Sequence, residues 1–189
     1  MFTQEFSRYN WQHLRAMGSA DHVPETLDKL KCATSKVEAE RLYWKLDNCV
    51  VVQGALYEAS VPTVICALTT LQRCTDIARP YILELLQIIG SGEAATTEIE
   101  NGNSNIYHQC MREIHHGTSV FFDLLEFGST EERLLSVDLL YLCCGHDKSL
   151  IERVVWWFEW LQSQGIASKD VVYIRRCLSE LNDPNFEIQ

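Results

Sequence analysis

The sequence predicts an all-α chain of about nine antiparallel helices, paired into hairpins that stack side by side as a short α-solenoid. Three observations predict it. Helix starts recur at Pro62, Pro80, Thr130, Ser149 and Ser168, each with an apolar amphipathic run behind it. Four of the five pair up about 18 or 19 residues apart, one helix plus a short turn, so two helices make a unit of about 37 residues. No stretch shows the period-two alternation that a partnered strand would carry.

The elements follow in order. Residues 5 to 17 place Phe6, Tyr9, Trp11, Leu14 and Met17 at helical spacing, as an amphipathic cap helix would. Pro24 opens PETLDKLKCA, because proline fits a first turn where its missing N–H is not needed. Ser35, with Glu38 three residues on, begins the longest segment, expected to stay helical over 36–59. The run Val50-Val51-Val52 fits a strand as well, but finds no partner in the pattern. PTVICALTTLQRC and RPYILELLQIIG follow, the second closed by Gly90.

Composition then shifts to SGEAATTEIENGNSN, read as a polar loop over 91–104. Helical patterning resumes from Ile106 to Phe127. Ser129 or Thr130 caps the next helix, whose first turn carries Glu131 and Glu132 where the helix dipole favours them, and Gly145 reads as its C-cap. SLIERVVWWFEWLQSQG and SKDVVYIRRCLSELND complete the set, with a frayed tail at 184–189. One domain of 189 residues is expected, with 47% hydrophobic residues to fill its core.

Charge narrows the partners. Lys and Arg total 16 against 26 Asp and Glu, a formal net charge of -10, which repels nucleic-acid backbones and anionic membranes and attracts a basic protein. The chain has eight cysteines, and those such as Cys66, Cys74, Cys110 and Cys177 sit singly within apolar helical patterns, as reduced core residues do. The N-terminus has no charged-then-apolar leader, and no apolar run is long enough to span a bilayer. A cytoplasmic protein without a membrane association is expected.

Hairpins of this length resemble HEAT or armadillo-like repeats. A compact irregular bundle is the competing architecture. The run from Tyr43 to Ala59, YWKLDNCVVVQGALYEA, with Pro62 and Arg79-Pro80 behind it, resembles a segment of bacterial HEAT-like proteins, some of which are similar to immunity proteins of contact-dependent and polymorphic toxin systems. That resemblance spans about residues 40 to 90. It implies no catalytic residues, only the binding of a cognate toxin.

Two surface patches are candidates for such binding. On one helix over 36–59, Glu40, Asp47, Gly54 and Glu58 fall close to one line, a carboxylate ridge that could dock Lys or Arg or could simply be solvated. On the later helix, Leu150, Ile151, Val154, Trp157, Phe158 and Leu161 share an apolar face, which leaves Trp156 among Glu152 and Glu159 as an interface anchor unless another element covers it.

Catalytic constellations are weak. His108, His115 and His116 with Cys110 and Glu113 lack the spacing of a zinc site, and no HExxH is present. Cys143-Cys144-Gly145-His146-Asp147 places thiols at a helix C-terminus, whose dipole disfavours a thiolate. No cofactor and no enzymatic activity are expected. The leading reading is an inhibitor or immunity protein that blocks a basic toxin, such as a nuclease, through its acidic face. The alternative is a HEAT-like adaptor or scaffold of a cellular complex.

Overall fold

Caps and breakers decide where this chain is helical. The computed structural model describes residues 4–164 and 167–186. Ten α-helices, three 3-10 turns and three two-residue strands run through them. By contact the chain divides into two compact units, Met1–Ile114 and His115–Gln189.

In the first unit, the cap helix expected over 5–17 is replaced by two 3-10 turns, Gln4–Arg8 and Trp11–His13. The cause is a side-chain tie. The Trp11 indole N–H donates to the Phe6 carbonyl at 2.8 Å, and both side chains are buried. Helix α1 (Val23–Lys31) carries Pro24 in its first turn. Helix α2 (Lys36–Val50) starts as its sequence dictates, with the Glu38 N–H donating to Ser35 Oγ at 3.3 Å.

Helix α2 then stops at Val50, which corrects the expectation of one helix over 36–59. The β-branched pair Val51–Val52 forms β1, and Ala55–Leu56 forms β2 antiparallel to it. Gln53 and Gly54 turn the hairpin, both left-handed at φ 53° and 81°. Two consecutive left-handed residues are the geometry of a type I′ turn, whose twist matches that of paired strands.

Helices α3 (Ser60–Leu71) and α4 (Arg79–Gly90) follow, with Pro62 and Pro80 in their first turns. The segment expected as a polar loop over 91–104 is instead β3 (Glu93–Ala94) followed by α5 (Thr96–Glu100). Strand β3 pairs in parallel with β2, in the sheet order β1-β2-β3. Gly92 makes this approach possible: a Cβ there would lie 2.8 Å from both the Gly54 carbonyl oxygen and Leu56 Cδ2. Helix α1 packs on α2 and α3, and α4 packs on α2 and α3. Leu27, Leu30, Leu46, Leu56, Ile82 and Leu86 are fully buried in this core. Each such side chain contributes about 2 kcal/mol of burial.

Helix α6 (Ile106–His115) ends at a break, so the single helix expected from Ile106 to Phe127 is two, and α7 (Thr118–Phe127) begins after Gly117 as its N-cap. In the second unit, Ser129 and Glu132 form a reciprocal capping box that starts α8 (Thr130–His146). This helix runs through Gly145, the expected cap, and ends at His146 with Asp147 as its C-cap. The Asp147 carboxylate accepts the Ser149 N–H at 3.0 Å, so Ser149 lies in a 3-10 turn, Lys148–Leu150, ahead of α9 (Ile151–Ser163).

Helix α10 (Ser168–Leu181) closes the unit. Helices α7 and α8 pack together, as do α9 and α10, while α7 also packs on α9 and α8 on α10. Phe121, Leu125, Leu139, Leu140, Phe158 and Ile174 are fully buried. Of the tail expected to fray, Phe186 is buried edge-on against Tyr141, and residues 187–189 lie outside the described part. Among the described residues, no helix is long and apolar enough to cross a membrane.

Candidate protein-binding surface

The hairpin at Gln53–Gly54 breaks the carboxylate ridge expected in the first unit. Glu40 remains exposed on α2. Asp47, two turns further along, is only 9% exposed, and burial pushes its carboxyl above the usual range. Gly54 sits in the turn and Glu58 beyond β2, so neither extends a line drawn along α2. The helical projection failed because it carried 3.6-residue periodicity through a strand.

Glu58 is engaged elsewhere. Its carboxylate accepts the Arg15 backbone N–H at 3.2 Å and pairs with the Arg15 guanidinium at 3.1 Å. The same guanidinium holds Glu98 through two hydrogen bonds of 2.9 and 2.8 Å, and Asn103 donates to Glu98 at 2.9 Å. Glu98 is fully buried. Burial raises its pKa, but Arg15, Asn103 and the Glu58 N–H outweigh that and hold the carboxyl below the usual range. This cluster fastens the N-terminal segment to α5. Sequence reasoning missed it because Glu98 lies in a polar stretch without periodicity, and nothing there marks a buried acid.

An open cleft of about 310 Å³ lies between the hairpin turn and β3, lined by Gln53, Gly54, Ala55, Glu93, Ala94 and Thr96. Its lining holds one ionisable group, Glu93, beside the hydroxyls of Ser91 and Thr96. What α2 itself presents to solvent is Val37 and Trp44, 78% and 50% exposed, with Glu40, Arg41, Lys45 and Asn48 exposed around them. The Asn48 amide donates to the Trp44 carbonyl at 2.8 Å, which makes Asn48 a helix back-bond.

The second patch is assembled as its spacing predicts. Val154, Phe158 and Leu161 turn α9 inward, with Trp157 half-buried beside them. Glu152, Trp156 and Glu159, spaced i, i+4 and i+7, lie exposed on the opposite side. Trp156 is 59% exposed. Its ring stands edge-on to Trp157 at 5.3 Å, and Trp157 stands edge-on to Trp160 at 5.2 Å and contacts Phe122 of α7 at 6.0 Å. The Arg153 guanidinium lies 3.9 Å from the centre of the Phe122 ring. Among the described residues, neither Glu152 nor Glu159 makes an ion pair.

No family model matches this chain, and neither a curated protein nor a solved structure does. Function is therefore read from the surface itself.

The histidine and cysteine clusters were the remaining candidates. His115 Nε2 lies 3.2 Å from Asp147 Oδ2, and the His115 and His146 rings are 6.1 Å apart. Ser149 and His115 hold the Asp147 carboxyl below its usual range. Cys143 and Cys144 are buried beside it, and burial pushes both thiols up to about 12, so they stay protonated at neutral pH. His108 is exposed on α6 beside Tyr107. Among the described residues, no group of three or more His, Cys, Asp or Glu could hold a metal ion.

Proposed function

We propose that this protein is a non-enzymatic binding module that captures a basic protein partner and neutralises it, in the manner of an immunity protein against a cognate toxin. The observation that carries the reading is the α9 surface. A half-exposed indole flanked by two carboxylates without internal cations is suited to a cationic partner, since the aromatic ring supplies buried area and the charges steer the encounter. The chain's charge is weighted toward this end: residues 115–189 carry 12 Asp and Glu against 6 Lys and Arg.

The HEAT-like comparison draws support from the helix pairing. Within each unit, two consecutive helical hairpins lie side by side, first helix on first and second on second: α1 with α3 and α2 with α4, then α7 with α9 and α8 with α10. An adaptor role would use the same stacking with a different partner.

The test is capture of the tagged, full-length protein from its native cells at low and moderate salt, followed by assay of the captured protein's activity with and without the module. Tight, stoichiometric recovery of one basic protein whose toxicity the module abolishes is the expected result. Recovery of several housekeeping proteins, or of a partner whose activity is unaffected, would overturn the immunity reading.

A further inference from the structure

We infer that the Glu152–Trp156–Glu159 face of α9 recognises an arginine side chain of its partner, with the guanidinium stacked on the Trp156 indole between the two carboxylates. This rests on the proposed binding role and names the chemical group recognised. Glu152 and Glu159 lie one turn to either side of Trp156 on the same helix face, so their carboxylates bracket the ring. A planar guanidinium can stack on the ring and still direct its N–H groups to carboxylates at its edges, which the compact ammonium of lysine cannot do together.

The chain's own chemistry points the same way. Among the described residues, every cation on an aromatic ring is an arginine: Arg8 on Tyr9 at 5.6 Å, Arg153 on Phe122 at 3.9 Å and Arg176 on Tyr173 at 5.2 Å. Trp156 is more exposed than any of the chain's other described tryptophans and has no such cation. Arg153 cannot fill the role for it, because its guanidinium is already committed to Phe122.

The pattern also recurs within the sequence. Glu40-Arg41-Leu42-Tyr43-Trp44-Lys45-Leu46-Asp47 matches Glu152-Arg153-Val154-Val155-Trp156-Trp157-Phe158-Glu159 in its glutamate, arginine, tryptophan and final acid. Both tryptophans are half-exposed where helical spacing alone would allow either to be core. In the first copy the bracket is incomplete, since Asp47 is buried. Only the α9 copy presents both acids. A second copy of this chain is a poor occupant, because it would bring four like charges together around the two rings.

The test uses the full chain, isotope-labelled for NMR, and three blocked hexapeptides that alternate glycine with arginine, lysine or glutamate. The Trp156 indole N–H resonance, assigned through Trp156→Phe, is followed during titration, with the Trp44 resonance as internal control. The arginine peptide should move Trp156 and leave Trp44 nearly in place, and bind about threefold tighter than the lysine peptide. Glu152→Gln with Glu159→Gln should weaken it about tenfold without changing the melting temperature. Equal binding of the arginine and lysine peptides, equal movement of Trp44 and Trp156, or a Trp156 resonance that broadens with protein concentration alone would each overturn the inference. A captured basic partner whose affinity is unchanged by Trp156→Ala would overturn it too, while leaving the neutralising role intact. Arginine-peptide binding at Trp156 with no basic partner recovered would do the reverse.

Discussion

At Glu98, burial and ion pairing pull in opposite directions, and pairing wins. A carboxyl held below its usual value of 4.5 lends stability that is fully present above that value and is lost as pH falls through the folded one. Glu98→Gln should therefore cost about 2 kcal/mol at neutral pH, because it leaves Arg15 without its main partner. The same variant should flatten the acid limb of a urea-denaturation series below pH 4.5. An acid limb as steep as that of the unaltered chain would remove Glu98 as its source. Asp47 behaves in the opposite sense. Its carboxyl is raised by burial, so its charge is a burden at neutral pH that is relieved as pH falls through the folded value. Asp47→Asn should be neutral or stabilising at pH 7, whereas Asp47→Lys should cost at least about 2 kcal/mol. Charge reversal there reports on folding, not docking. Glu152 and Glu159 are the positions where reversal reads the interface.

Among the elements, the three-stranded sheet has the strictest local requirement. Gly54→Ala places a side chain in open space but at φ 81°, a left-handed strain of about 1 kcal/mol. Gly92→Ala drives a methyl against the Gly54 carbonyl and Leu56, so it should cost two- to threefold more and strip hydrogen-exchange protection from Ala95, whose N–H donates to the Leu56 carbonyl at 3.0 Å. Equal losses at both glycines would mean that β3 can shift away. The helices of both units were legible in the sequence because their signals are local. Ser35 with Glu38, Ser129 with Glu132, and Pro24, Pro62 and Pro80 each act within one turn. The sheet was not legible. Two residues of β1 are too few to show alternation, Gln-Gly is a weaker turn signal than Asn-Gly, and Glu93–Ala94 has no strand propensity. What makes β3 a strand is backbone pairing with residues nearly forty positions earlier. The α9 patch was legible because one helix supplies it whole, and the α2 ridge was misread because its projection crossed a hairpin.

Over the whole molecule, the eight cysteines give a single test of packing. Cys49, Cys66, Cys110, Cys143, Cys144 and Cys177 are buried, Cys74 is partly covered, and Cys32 alone is exposed. Burial pushes the Cys66 and Cys110 thiols up to about 12. A thiol reagent should therefore modify one site rapidly in the native protein, a second slowly, and all eight in urea, with Cys32→Ser abolishing the fast phase. A second fast site would show that one of the cores opens readily. The parallel pairing of β2 with β3 bears on how the first core is reached. Between these strands the chain travels through both α3 and α4, so the ladder cannot close until that hairpin has docked and reduced the entropy of the intervening loop. The ladder and the Arg15–Glu98 fastening then belong to the native side of the folding barrier. Substitutions there should accelerate unfolding and leave the refolding rate nearly unchanged in stopped-flow experiments, which would make this small sheet a determinant of the protein's lifetime more than of its ability to fold.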